Sequence, residues 1–192
     1  MTHETVTVWK QVTPELREEL KAFWRDNKLT VEDARADQAV CVIRGDDGAI
    51  RGVATAALKI LPRLRQPMYY YRLFLARELR GHQHFLPFFR HALQALQDYN
   101  AGLPKPESLG LLFELENNKL GKAYPHAYEP DFNAVFIGYS PRGLQLRVSY
   151  FENAALLPPA PIRMRAVASR GGRAMNTRPA AKSNPRPAKG RA

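Results

Sequence analysis

Over residues 5–12, Val6, Val8, Lys10 and Val12 fall on one side of an extended chain, a period of two that predicts an opening strand. Thr13 followed by Pro14 then reads as a helix cap with proline at the first helical position. Leu16, Leu20, Phe23 and Trp24 recur at helical spacing, so an amphipathic helix is expected to run to about Asn27. Residues 39–44 and 50–58 are apolar, β-rich runs separated by Gly45, Asp46, Asp47 and Gly48, which predicts a hairpin. Pro62 and Pro67 bracket a basic connector. Residues 68–76 give the strongest strand signal, aromatic and almost wholly apolar, as a central strand buried on both faces would be.

The second half repeats the alternation of strand and helix. A polar loop over 77–84 precedes a helical stripe of Phe85, Phe88, Phe89, Ala92, Leu93, Leu96 and Tyr99, with Pro87 expected in its first turn. A loop over 100–106 leads to a buried strand at 109–115 and a short helix at 117–124, stopped by Pro125. Residues 133–139 and 144–151 read as strands joined by a turn over 140–143. These elements predict one α/β domain over residues 1–157. From Pro158 onward, proline, glycine, alanine and arginine replace large apolar residues, and a disordered tail over 158–192 is expected, because such a segment buries too little surface to offset its chain entropy.

Charge sharpens that division. The net charge is +11, and nine basic residues with no acid follow Pro161, which leaves +2 for the rest. The basicity therefore belongs to the tail. Its spacing suits sequence-independent contact with nucleic-acid phosphates, or equally a solvated, inert extension. No apolar run approaches the ~18 residues of a membrane span. The first residues carry no secretory pattern, and Cys41 has no partner for an internal disulfide, so a reducing cytoplasm is the expected location. Cys41 falls in an apolar strand pattern and reads as a small buried hydrophobe.

The order of elements over residues 5–151 resembles that of the GNAT family of N-acetyltransferases, whose sheet is mixed, mostly antiparallel and flanked by helices. The likeness is sharpest over residues 69–96, where an apolar strand runs into Glu78, Leu79, Arg80 and Gly81 and then a long helix. In that family the strand, loop and helix grip the pyrophosphate of acetyl-CoA, using backbone N–H groups and the positive end of the helix dipole. The resemblance thus implies acetyl-CoA as co-substrate and Arg80, Gly81, His82 and Gln83 as phosphate contacts. The family's loop reads Gln/Arg-x-x-Gly-x-Gly/Ala, and Gln83 and Phe85 stand where it has small residues. A phenylalanine there would crowd the phosphate.

By the same resemblance, the backbone of Phe74, Leu75 and Ala76 would polarise the thioester carbonyl. Asn117 would bond the cofactor arm, and Tyr124, seven residues on, would be the general acid. Glu114 and Glu116, at the end of the fifth strand, are the candidate bases; the plainer reading makes them solvent-facing strand-end carboxylates. His82, His84 and His91 lack the companions of a zinc site, so no metal is expected, and the loop histidines read instead as side-chain donors to an anion. The implied activity is acetyl transfer to an amine of a small molecule or protein. The alternative is a catalytically silent binding module whose tail touches nucleic acid.

Overall fold

The computed structural model describes residues 3–80, 82–116 and 118–161. Gly81, Asn117 and the basic tail from 162 onward lie outside the described residues. Eight strands form one sheet: β1 (His3–Thr7), β2 (Ala39–Gly45), β3 (Ile50–Leu61), β4 (Gln66–Leu75), β5 (Gly110–Glu114), β6 (Tyr128–Glu129), β7 (Ala134–Tyr139) and β8 (Gln145–Tyr150). Their order is β1-β2-β3-β4-β5-β8-β7-β6. Every neighbouring pair is antiparallel except β4 and β5. The mixed, mostly antiparallel sheet expected from the sequence is present.

Helix α1 (Pro14–Asp26) begins as its sequence dictates. The Thr13 hydroxyl accepts the Leu16 N–H at 3.2 Å, and Pro14 occupies the first turn. The helix stops at Asn27, whose side-chain amide donates to the Phe23 carbonyl, and Lys28 follows in a left-handed conformation. Leu16, Leu20, Phe23 and Trp24 bury one face of the sheet together with Val42, Val53 and Ala76. On the other face lies α2 (His82–Ala101), whose Phe88, Phe89, Ala92 and Leu96 pack on Tyr69, Tyr71, Leu75 and Leu111. Cys41 is fully buried in that core, with Thr7 of β1 and Ala54 of β3 as ladder partners. Among the described residues no helix is long and apolar enough to cross a membrane.

The expected elements differ from the observed ones in several places. β1 ends at Thr7, because Lys10 takes a positive φ of 62° that an extended strand cannot continue through. The basic connector is the tip of a long hairpin, with Leu61 opposite Gln66 and a turn closed by the Leu64 and Arg65 N–H groups on the Leu61 carbonyl. Helix α2 starts three residues earlier than the pattern suggests, which puts Pro87 beyond the first turn, where it cannot donate to the Gln83 carbonyl. Near the expected end of the domain, the Ala160 N–H donates to the Arg65 carbonyl and the Arg65 side chain donates to the Ala160 carbonyl. Gln66 likewise makes two bonds to Leu157, so the chain stays attached beyond residue 157.

Candidate active site

A parallel pair inside an antiparallel sheet creates the main irregularity. β4 and β5 pair only at Tyr69↔Leu111, Tyr70↔Leu112 and Tyr71↔Phe113. β4 then continues against β3 as far as Gly52↔Leu75, while β5 turns away along β8. Beyond Tyr71 the β5-facing edge of β4 has no strand partner among the described residues, and the sheet opens.

The phase of that edge follows from two bonds. The Ala76 N–H donates to the Arg51 carbonyl at 2.8 Å, toward β3, whereas the Tyr69 N–H donates to Ser108 on the β5 side. Peptide groups alternate along a strand. Leu73 and Leu75 therefore present their N–H groups to the opening, and Phe74 and Ala76 present theirs to β3. Of the expected edge Phe74, Leu75 and Ala76, only Leu75 faces the gap, and Leu73 is the residue that sequence reasoning missed. Alternation was readable in the sequence; its phase relative to β5 was not. The Phe74 ring is packed against Phe23, with ring centroids 5.7 Å apart.

The loop and helix after β4 flank the opening. The Arg80 Nε donates to the Leu75 carbonyl at 3.1 Å, and its guanidinium lies 5.3 Å from the Phe74 ring centroid, so this side chain folds over the end of β4. The N-terminus of α2 begins at His82. Gln83 is exposed and contacts His84, whose ring meets His3 edge-on. Phe85 sits in the first turns of the helix. Its ring packs with Phe89 and Phe132, because once the helix is under way this position points to the core. His91 pairs with Thr7, away from His84.

Glu114 ends β5, and Glu116 and Tyr124 come from the segment after it. Tyr124 follows helix α3 (Asn118–Ala123), donating its N–H to Leu120. Its ring meets Phe132 edge-on at 4.8 Å. Burial raises the phenol pKa, reinforced by the charges of Asp131 and Glu129, so the group stays protonated at neutral pH. The Arg147 guanidinium fixes this segment through the Tyr124 and His126 carbonyls at 2.7 and 2.9 Å.

Glu114 and Glu116 part company. The Glu114 side chain is 5% exposed, accepts from Tyr70 at 3.0 Å and is paired with Arg142 at 2.5 Å. Burial alone would raise its pKa, but hydrogen bonds from Arg142, Ser140 and Tyr70 together hold it below the ordinary carboxylate range. Glu116 is 54% exposed, 3.6 Å from Arg142, and lines an open cavity of about 270 Å³ with Arg35, Arg72, Leu73 and Trp24. The expectation of two solvent-facing carboxylates holds for Glu116 and fails for Glu114.

A carboxylate whose folded pKa lies below its unfolded one adds stability that is present at neutral pH. That stability is lost as pH falls through the folded pKa. Glu114→Gln is therefore expected to lower stability at neutral pH and to make the decline between neutral pH and about pH 3 shallower. Denaturant midpoints across that range test this, and parallel curves for the two proteins would remove the role given to Glu114.

No protein-family model matches this sequence, and no curated protein matches it. Solved structures do match. An acetyltransferase of the GNAT family from Streptococcus pneumoniae superposes with a TM-score of 0.55 at 11% identity, covering 78% of this chain and 99% of that one. AtaTR bound with AcCoA superposes at 0.51 and 14% identity, covering 77% and 93%. A GNAT superfamily phosphinothricin acetyltransferase from Sinorhizobium meliloti, in complex with AcCoA, superposes at 0.51 and 12% identity, covering 82% and 94%. The chain has the fold of the GNAT acetyltransferases.

Proposed function

We propose that this chain is an acyl-CoA-dependent N-acyltransferase, with acetyl-CoA as donor and an amine as acceptor. The observation that carries this reading is the opening beyond Tyr71↔Phe113. It exposes the backbone edge of Leu73 and Leu75 between the N-terminus of α2 and the cavity that Glu116 lines. Two of the structural neighbours are described as bound to AcCoA, and the donor is carried over from them.

When bound, acetyl-CoA supplies a thioester that an amine can attack. The N–H groups of Leu73 and Leu75 donate to its carbonyl oxygen, where negative charge develops. Arg80, Gly81, His82 and Gln83 at the N-terminus of α2 hold the pyrophosphate, and Asn117 bonds the arm. Glu116 accepts the proton of the attacking amine, directly or through water, while Glu114 keeps Arg142 and Tyr70 in place. Tyr124, protonated at neutral pH, gives its proton to the departing sulfur.

Tyr124→Phe removes one hydroxyl and little volume. Turnover is expected to fall ~10²-fold while CoA affinity stays unchanged. Equal turnover in the two forms would leave Tyr124 as a packing residue of the Phe132 cluster. Calorimetric titration with CoA and acetyl-CoA tests the reading as a whole. No heat at millimolar concentration would favour the second reading, a silent binding module on this fold, in keeping with Gln83 where the family has glycine.

A further inference from the structure

The cavity beside Leu73 carries more positive charge than its own carboxylates satisfy. A second, smaller cavity adjoins it, and Arg35, Thr55 and Arg72 line both. Arg35 comes from a 3-10 turn (Asp33–Gln38) after α1, and Arg72 sits on β4 next to the backbone edge of the opening. The Arg72 guanidinium stacks on the Tyr70 ring at 4.8 Å, and its Nε is buried with no hydrogen-bond partner. Among the described residues neither Arg35 nor Arg72 has a carboxylate within salt-bridge distance. Glu116 is shared with Arg142, which also holds Glu114. Glu32 faces the smaller cavity, but so does Lys59. Burial, and then the charge of Arg72, disfavour the charged form of Arg35, an opposition that Glu32 and Glu116 offset only in part. Two like charges held toward one space, with a guanidinium N–H unpartnered, are what a ligand oxyanion would relieve.

We propose that this cavity binds an amine that also carries an oxyanion, carboxylate or phosphate, held by Arg35 and Arg72 while the amino group reaches Glu116. The amine half rests on the transferase reading above; the anion half stands on the arginines alone. A volume of about 270 Å³ limits the ligand, or the part of it that enters, to a small molecule. The apolar wall of Trp24, Leu29 and Val31 would take its carbon chain.

Calorimetric titration of the full chain decides it, with matched probes. β-Alanine and phosphoethanolamine carry the anion, and β-alaninamide and ethanolamine are their counterparts without it. Each anionic probe is expected to bind ~10-fold or more tightly than its counterpart, and the tighter of the two identifies carboxylate or phosphate as the group recognised. Arg35→Gln and Arg72→Gln should each erase that preference. Arg72→Gln removes the stack on Tyr70, so Arg35→Gln carries the test if the other variant fails to fold. Equal binding within both pairs, a preference that survives Arg35→Gln, or no binding by any probe at millimolar concentration would overturn the proposal. A parallel titration with CoA separates the two readings. An anion preference without CoA binding upholds the arginine site and sinks the transferase; CoA binding without the preference does the reverse.

Discussion

Gly110→Ala is expected to be among the most damaging single substitutions in this domain. A Cβ at Gly110 would lie 2.2 Å from the Ser149 carbonyl oxygen and 2.8 Å from the Tyr150 Cα, and the residue already has a φ of +155°. Both obstacles are backbone of β8, so no side chain can swing aside. Relief requires β5 and β8 to separate where Gly110 faces Tyr150 and Leu111 faces Ser149. A loss of about 4 kcal/mol or more is expected, beyond the usual range for one substitution, and a fall in melting temperature of about 10 °C or more. Denaturant and thermal midpoints measure it, and a variant within about 1 kcal/mol of the parent would contradict the register described here. The site would feel the change as well, because the opening exists only where β5 leaves β4.

Arg147→Ala should cost about 3–5 kcal/mol, the range for breaking a buried ion pair by removing one partner. Arg147 is 1% exposed, bonds the Tyr124 and His126 carbonyls and the Gln145 side chain, and lies 3.9 Å from Glu129. Its loss leaves two carbonyls without their donor and takes the guanidinium charge away from the buried Glu129 carboxylate, which keeps the bond from the His126 N–H. A double variant, Arg147→Met with Glu129→Gln, removes both charges at nearly constant volume and should recover much of the stability. Hydrogen exchange should quicken over residues 124–129 in Arg147→Ala. An unchanged exchange pattern would mean that the guanidinium does not hold the segment that positions Tyr124.

Much of this architecture was legible in the sequence for simple reasons. Helix α1 announced itself through Thr13, Pro14 and a stripe at Leu16, Leu20, Phe23 and Trp24, since local capping and one buried face agree. β4 was legible because an uninterrupted apolar run suits a strand covered on both sides. What was hidden depends on pairing across the chain. Nothing near Leu73 says that β5 stops alongside Tyr71. Nothing local to Phe85 says that α2 begins at His82 and turns this ring toward Phe132. Glu114 and Glu116 look alike in sequence, and an unbroken strand would put both on one face, but β5 ends at Glu114 and Glu116 leaves the ladder. The Pro130–Phe132 turn, whose Phe132 closes the aromatic cluster of Phe85, Phe89, Phe113 and Tyr124, has no periodic signature.

The burial of Cys41 has a practical consequence. Its thiol lies within β2, flanked in the ladder by β1 and β3, and burial pushes its pKa far above that of a free thiol. Only the thiolate attacks an alkylating reagent, so the native state is inert and labelling must wait until β2 loses its neighbours. The single cysteine is thus a built-in reporter of opening. In the limit where strands reclose faster than reagent reacts, its modification rate measures the free energy of exposing this corner of the sheet in undenatured protein, without an introduced probe.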